Sequence, residues 1–214
     1  MLGRKMDKLA LSALKYSELL GYEYIVILGR KGKTRKIRII FSEDNWFHIC
    51  GLHKLEDIAF PVRHEDIFNS VLKSIDNNNP QETIYTYDHI SKSLFFEGNH
   101  VDARLDGCIS LKDHIEHFEN QRWYDFDRWK LVKEFYTTID ANLLVESSLE
   151  KPIRLFIFFK NKDMAEVYVN VTAFPEDKRD FTKYQTQWTL LCAQKKCISS
   201  GEVVELFRAK SFSE

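Results

Sequence analysis

The sequence contains little glycine and proline, with 8 glycines and 4 prolines among 214 residues. Such a composition favours long regular elements over loop-rich or disordered structure. The 16 phenylalanines and 9 tyrosines indicate an aromatic-rich core. The length is sufficient to bury such a core, and no stretch has the composition of a linker. We therefore predict a single domain over residues 1–214.

Neither an excess of one charge nor a long apolar run is present. Lysine and arginine total 31 against 32 acidic residues, so the formal net charge is −1. Any attraction for nucleic acid must therefore come from a local patch. No run of about 18 apolar residues occurs, and lysines interrupt the N-terminal segment, so we expect neither a membrane span nor a signal peptide.

The cysteines have no paired metal-ligand spacing. They occur at positions 50, 108, 192 and 197, which favours reduced thiols in a cytoplasmic protein. Cys50, His53 and Asp57 could share one helical stripe, but zinc sites take three or four ligands, usually from more than one segment. We expect Cys50 to pack in the core and predict neither a metal nor a cofactor.

Several catalytic fingerprints are also missing. The sequence has no phosphate-binding P-loop, no G-x-S-x-G, no H-E-x-x-H and no dinucleotide-binding glycine pattern. These absences argue against most nucleotide-driven enzymes and metallohydrolases.

Periodicity places helices between two groups of strands. An N-terminal helix should end at Gly21, followed by a hairpin of Tyr22–Leu28 and Ile37–Phe41. Further helices are predicted from Ser42, over His64–Ile75 (stopped by DNNNP), over Thr83–Phe96 and within 111–136, with a polar loop at 99–107. Late strands are predicted at 142–146, 153–159, 166–174, 187–193 and 202–207, with NKD as the tight connection between the second and third.

This order of elements predicts an α+β fold. We expect a mainly antiparallel sheet, built from the N-terminal hairpin and the C-terminal strands, with the helices in the centre of the chain.

The stretch WFHICGLHKLEDI (Trp46–Ile58) places two histidines and a lysine in an otherwise apolar run. On one continuous helix His48 and His53 would point about 140° apart, at ~100° per residue. A break at Gly51 would relax this constraint and leave His53 and Lys54 near an exposed corner. The segment is either a site for proton transfer and phosphate binding or an ordinary core segment.

The hairpin GRKGKTRKIR contains six cations and no acidic residue. Such a run can hold phosphate groups without reading bases, although a solubilising turn would have the same composition. The candidate nucleic-acid contacts are Arg30, Lys31, Lys33, Arg35, Lys36 and Arg38.

A second polar stretch precedes a late apolar strand. The run DFTKYQTQWTLL begins at Asp180 and contains Thr182, Tyr184 and Gln185. Its position fits a loop that lines a cleft and equally fits a solvent-facing turn.

The segments FSEDNWFHICGLHKLEDI and DFTKYQTQWTLL together resemble the fourth group of Barnase/EndoU/colicin/RelE-like nucleases, from phages and mobile elements of Gram-positive bacteria. That family's pattern has a phenylalanine-histidine-leucine-x-glycine-leucine run after a basic hairpin, and a late aspartate-aromatic-threonine-x-x-glutamine run. The chain departs where isoleucine and cysteine replace a leucine and a small or polar residue. The matching positions are Phe47, His48, Ile49, Gly51, Leu52, Asp180, Phe181, Thr182 and Gln185.

The resemblance implies a barnase/EndoU/RelE-like fold and a metal-independent endoribonuclease that cleaves RNA by 2′-hydroxyl attack. His48 or His53 would transfer protons, and Lys54 would bind the phosphate. Thr182, Tyr184 and Gln185 would donate hydrogen bonds from the late loop. The expected partners are RNA and a neutralising protein. We do not expect the protein to bind a membrane.

Two alternatives stay open. The chain could be a non-catalytic nucleic-acid-binding module that uses the basic hairpin at residues 30–38. It could also be a protein-interaction domain in which the histidine segment is only part of the core.

Overall fold

The computed structural model describes residues 6–76, 83–149, 154–162 and 166–212. These residues form two compact units. The first unit comprises the described parts of Met1–Leu19 and Ser42–Lys112, and the second those of Leu20–Phe41 and Asp113–Glu214. The single domain over residues 1–214 stays a prediction.

The first unit is helical. Asp7 caps the first helix, where its carboxylate accepts hydrogen bonds from the backbone N–H groups of Leu9 and Ala10 at 3.0 and 3.1 Å. This satisfies two of the donors that a helix leaves unpaired at its start. The helices are α1 (Lys8–Ser17), α2 (Glu43–Ile49), a 3₁₀ turn (Leu52–Lys54), α3 (His64–Asp76), α4 (Tyr87–Ile90) and α5 (Val101–Glu116), whose last four residues belong to the second unit.

Aromatic side chains fix α2 against α1 and α3. Trp46 is fully buried, and its ring centroid lies 5.3 Å from that of Phe68. The indole Nε1 of Trp46 donates to the hydroxyl of Ser12 at 3.2 Å. Tyr16 packs edge-on against Phe68 and donates its hydroxyl to the carbonyl of Ser42. The polar atoms of these buried rings are therefore paired, as burial requires.

The second unit is a β-barrel. Its strands pair in the order β1-β2-β6-β5-β4-β3-β7-β8, and β1 also pairs with β7. Seven strands thus form a closed ring, and β8 pairs with β7 outside that ring. The strands are β1 (Tyr22–Arg30), β2 (Lys33–Ile40), β3 (Gln121–Asp125), β4 (Leu143–Ser148), β5 (Arg154–Lys162), β6 (Val167–Pro175), β7 (Thr186–Cys197) and β8 (Val203–Arg208).

The α+β class is confirmed, whereas the sheet differs from the mainly antiparallel arrangement that we predicted. It closes into a seven-strand mixed barrel, because β2 pairs in parallel with β6 through Arg38↔Val167, Ile39↔Tyr168 and Ile40↔Val169. Alternation along a strand specifies which side chains are buried, but it does not specify the neighbouring strand or its direction.

Three local predictions in the centre of the chain are wrong. The predicted loop at 99–107 lies mostly in α5, whose buried face includes Val101 and Leu105. The predicted helix at Thr83–Phe96 is reduced to the four residues of α4. Within 111–136, strand β3 takes the place of a second α-helix. The stop signal DNNNP and the NKD connection fall partly outside the described residues.

The aromatic residues of the second unit form a buried cluster against strands β3 to β6. Phe158 packs within 5.3 Å of Phe181 and 5.6 Å of Phe174, measured between ring centroids. The cluster comprises Tyr124, Phe126, Leu131, Leu144, Phe156, Phe158, Phe174 and Phe181. The aromatic-rich composition therefore supplies a core for this unit.

Gly51 is the residue whose conformation shapes the histidine segment. Its φ of +76° is left-handed, and a Cβ added there would lie 2.6 Å from Cδ of Arg104. We expect Gly51→Ala to lower the free energy of unfolding by about 1–2 kcal/mol, since L-residues are strained in this region. Urea denaturation would measure the loss.

Gly98→Ala is the matched control, because its added Cβ meets no atom within 4 Å and its φ lies outside the left-handed range. We expect it to change stability by less than about 0.5 kcal/mol. Equal losses in the two variants would contradict the role given to Gly51.

Candidate catalytic site and nucleic-acid interface

The break that the sequence suggested at Gly51 is present. Helix α2 ends at Ile49, Gly51 adopts the left-handed conformation, and a 3₁₀ turn begins at Leu52. The change of direction brings the imidazoles of His48 and His53 together, with their ring centroids 4.8 Å apart. On a continuous helix the two side chains would diverge.

A third imidazole joins this pair. The ring centroid of His64, at the start of α3, lies 5.3 Å from that of His48. His64 stacks on Phe47 at 3.9 Å between centroids, and its Nδ1 lies 3.3 Å from a carboxylate oxygen of Asp44. We call His48, His53 and His64 the histidine cluster.

The surroundings of His48 and His53 favour the neutral form of these two imidazoles. Partial burial lowers the pKa of His48, and the nearby His64 lowers it further. Partial burial also lowers the pKa of His53 to about 4, although the residue as a whole is exposed, and the nearby His48, Lys54 and Arg104 add to the effect. A neutral imidazole has a lone pair that can accept a proton.

Two cations lie beside the histidine cluster. Partial burial and the neighbouring guanidinium of Arg104 lower the pKa of Lys54. Arg104 extends over Gly51 and donates from Nε to the carbonyl of Asn99 at 3.3 Å. Together these side chains provide a positive potential next to the imidazoles, as a phosphate-binding site requires.

The described residues do not form the zinc site considered from the sequence. Among the described residues, no group of three or more histidine, cysteine or acidic side chains could hold a metal ion. Cys50 is buried with its sulfur 3.7 Å from the hydroxyl of Ser12. Asp57 instead accepts hydrogen bonds from the hydroxyl of Ser93 and the backbone N–H of Leu94. All four cysteines are free thiols.

The six cations of the hairpin divide into two groups. Arg38 forms an ion pair with Glu23 at 3.2 Å, and Arg35 forms ion pairs with Asp125 and Glu166. The other four are exposed and have no acidic partner within 4 Å among the described residues. These four are Arg30, Lys31, Lys33 and Lys36, and we call them the hairpin patch.

Arg35 is held by three residues from other strands and turns. Its guanidinium binds Asp125 at 3.0 Å and Glu166 at 2.8 Å, and it also donates to the hydroxyl of Tyr168. Trp188 donates to the second oxygen of Asp125 at 2.8 Å. Arg35 therefore joins β2 to neighbouring parts of the barrel and has little freedom to bind a phosphate.

The side chains of the late polar loop form hydrogen bonds with other residues of the second unit. The hydroxyl of Thr182 donates to Asp180 at 2.7 Å, and that of Tyr184 donates to Glu134 at 3.0 Å. The amide of Gln185 bonds both backbone groups of Asp127, accepting from N–H at 2.9 Å and donating to the carbonyl at 3.1 Å. Gln185 thereby fixes the loop against the segment that follows β3.

The candidate residues thus fall in two groups. His48, His53 and Lys54 belong to the first unit and lie close together there. The hairpin and the late loop belong to the second unit.

Sequence reasoning missed His64 and Arg104. His64 lies where we predicted only the start of a helix, and Arg104 lies in the segment taken for a loop. A one-sided apolar pattern at Val101, Leu105 and Cys108 was the signal available for the second of these, because it marks a buried helical face.

In the described residues, no helix is long and apolar enough to cross a membrane.

Comparison with known proteins identifies one family: residues 8–210 match the family described as phage-Barnase-EndoU-ColicinE5/D-RelE like nuclease 4 (PBECR4). No curated protein and no solved structure shows significant similarity to the chain.

Proposed function

Because the chain belongs to the phage-Barnase-EndoU-ColicinE5/D-RelE like nuclease 4 family, we propose that it is a metal-independent endoribonuclease of a phage or mobile element. The family match over residues 8–210 supports a nuclease and therefore a nucleic-acid substrate. The observation that carries the finer proposal is the pair of imidazoles 4.8 Å apart, next to Lys54.

The reaction needs a base, an acid and a cation. A base removes the proton of the ribose 2′-hydroxyl, the oxygen attacks phosphorus, and the 5′-oxygen leaves with a proton from the acid. The products are a 2′,3′-cyclic phosphate and a 5′-hydroxyl. No redox partner or metal enters this balance.

His48 and His53 provide the proton carriers. Their lowered pKa values keep both imidazoles neutral near pH 7. One imidazole can then accept the 2′-hydroxyl proton, and the same proton passes from the imidazole pair to the leaving 5′-oxygen, so the step balances although both imidazoles are neutral at the start. Like charges at this spacing repel, so the pair is suited to hold one proton at a time. Lys54 would bind the phosphate oxygens and stabilise the charge that develops in the transition state.

In this proposal, the second unit helps to bind the nucleic acid. The hairpin patch has four exposed cations for the phosphate backbone, whereas Arg35 and Arg38 are already paired with acids. In this proposal, Thr182, Tyr184 and Gln185 remain the donors of the late loop. For Thr182 and Tyr184, that role requires the substrate to replace the present partners Asp180 and Glu134.

A non-catalytic binding module is the second candidate function. The four exposed cations of the hairpin patch favour it, because they would hold nucleic acid whether or not the histidines react. Only the nuclease would release fragments with a cyclic phosphate end.

We expect His48→Ala and His53→Ala each to reduce RNA cleavage by about 10²–10⁴-fold, because positioned proton transfer contributes factors of this size. The measurement is single-turnover cleavage of an end-labelled RNA in the presence of EDTA. His117→Ala, which removes an exposed histidine far along the chain from the segment, is the control and should keep its activity. Unchanged cleavage in both cluster variants would refute the catalytic assignment.

Neutralising three lysines of the hairpin patch tests its role in binding. We expect the variant Lys31→Gln/Lys33→Gln/Lys36→Gln to bind single-stranded RNA more weakly and to lower the log–log salt slope by about 2, since each phosphate contact contributes about 0.7. Fluorescence anisotropy across a salt series would measure this. Arg38→Gln is the contrast, because its partner Glu23 already neutralises it. An equal slope in the triple variant and the wild type would exclude the hairpin from the interface.

A further inference from the structure

One end of the barrel carries exposed aromatic rings that the proposed chemistry does not use. Asp125, the last residue of β3, lies opposite Thr186, the first residue of β7, and Gly29 of β1 lies opposite Thr189. The β1–β2 turn, the segment that follows β3 and the late polar loop therefore leave the barrel at the same end. The ion pair of Arg35 with Asp125, at 3.0 Å, joins β2 to β3 there.

The segment that follows β3 is anchored on one side and open on the other. Leu131 is fully buried, and Phe135 packs against the aromatic cluster of the second unit. Trp129 and Tyr136 of the same segment are instead 67% and 76% exposed. Large aromatic side chains contribute most to stability when they are buried, so exposed rings of this size on an anchored segment indicate a binding surface.

Tyr184 in the late polar loop adds a third exposed ring. Its φ of +62° is left-handed, which is a strained conformation for a bulky residue. The residue is 59% exposed, and its hydroxyl bond to Glu134 connects the loop to the segment that follows β3. Stacking on this ring would make no demand on the hydroxyl. We call Trp129, Tyr136 and Tyr184 the aromatic surface.

Cations accompany the aromatic surface. Cζ of Arg128 lies 4.9 Å from the ring centroid of Trp129. Lys130 and Lys133, which lie between Trp129 and Tyr136 in the sequence, are exposed and have no acidic partner within 4 Å among the described residues. The hairpin patch, in and beside the β1–β2 turn, adds four more exposed cations at this end of the barrel.

The acidic side chains nearest these lysines in the sequence have partners of their own. Glu134 forms an ion pair with Lys183 at 2.7 Å, and Asp127 accepts a hydrogen bond from the backbone N–H of Trp129 at 3.0 Å. The ammonium of Lys183 in turn lies 5.2 Å from the ring centroid of Tyr184. The surface therefore combines open rings with exposed ammonium groups, and this combination favours a polyanion that has flat apolar faces.

A single strand of nucleic acid has both properties. Its unpaired bases can stack on aromatic rings while its phosphates bind the cations. A duplex stacks its bases internally and offers chiefly its phosphates, and an acidic protein would meet the cations without stacking on the rings. We propose that this end of the barrel binds single-stranded nucleic acid, whose bases stack on the aromatic surface. The further statement that this strand is the RNA which the chain cleaves rests on the proposed nuclease function.

The test uses a fluorescent 2′-O-methyl oligonucleotide, which has no free 2′-hydroxyl and therefore stays intact. Anisotropy titrations with the full chain measure its affinity as a single strand and annealed to its complement. We expect the wild type to bind the single strand more tightly than the duplex. In Trp129→Ala/Tyr136→Ala, the affinity for the single strand should fall at least about tenfold, because stacking on two rings is lost. The affinity for the duplex and the salt slope should stay unchanged, because no cation is removed.

Two further variants are the controls. Trp129→Phe/Tyr136→Phe keeps a ring at each position and should retain most of the affinity for the single strand. Ile198→Ala removes a comparably exposed apolar side chain (62%) just beyond the other end of β7 and should change neither affinity.

Equal affinity of the double alanine variant and the wild type for the single strand would overturn the proposal and leave an acidic protein as the occupant of the surface. Equal binding of single strand and duplex by the wild type would also overturn it. Incubation of the same preparations with the all-ribose oligonucleotide separates this proposal from the nuclease. Cleavage by the wild type with unchanged binding in the alanine variant would refute only the aromatic surface, and ring-dependent binding without cleavage would refute only the nuclease.

Discussion

Strand β1 forms hydrogen-bonded ladders along both of its edges, and the closure of the barrel depends on this double pairing. One edge pairs with β2 and the other with β7, which is separated from β1 by more than half of the chain. The side chains of Tyr24, Val26 and Leu28 alternate along β1 and are fully buried. Because the ring of seven strands closes, each of its strands has a hydrogen-bonded neighbour on both sides. The turn between β1 and β2 carries exposed cations.

In the first unit, the backbone conformation of one residue determines how the candidate catalytic side chains are arranged. The left-handed Gly51 turns the chain so that His48 and His53 come within ring contact, and Arg104 packs across the same glycine. The two imidazoles, Lys54 and Arg104 then share one environment. Desolvation and mutual repulsion keep the imidazoles neutral there. A local turn thus couples the apolar packing of α2 to an arrangement suited to proton transfer.

Sequence reasoning succeeded where a local pattern determines the structure. The hairpin, the late strands and the break at Gly51 each follow from residues within a few positions of one another. It failed where distant packing decides. The polar run at 99–107 became part of a helix because Val101 and Leu105 are buried by other elements, and the parallel β2–β6 pair depends on contacts across more than a hundred residues. The sequence singled out His48, His53 and Lys54, whereas His64 and Arg104 became visible only through tertiary packing.

In the proposed reaction, a ribose hydroxyl of the substrate is the nucleophile. The most direct measurement uses one oligonucleotide in two forms, all-ribose and with a single 2′-deoxy substitution at the cleaved linkage, each incubated with the wild-type chain and EDTA. We predict cleavage of the first form to a 2′,3′-cyclic phosphate and no cleavage at the substituted linkage of the second. Cleavage at the 2′-deoxy linkage, or activity that appears only when a divalent metal is added, would contradict it.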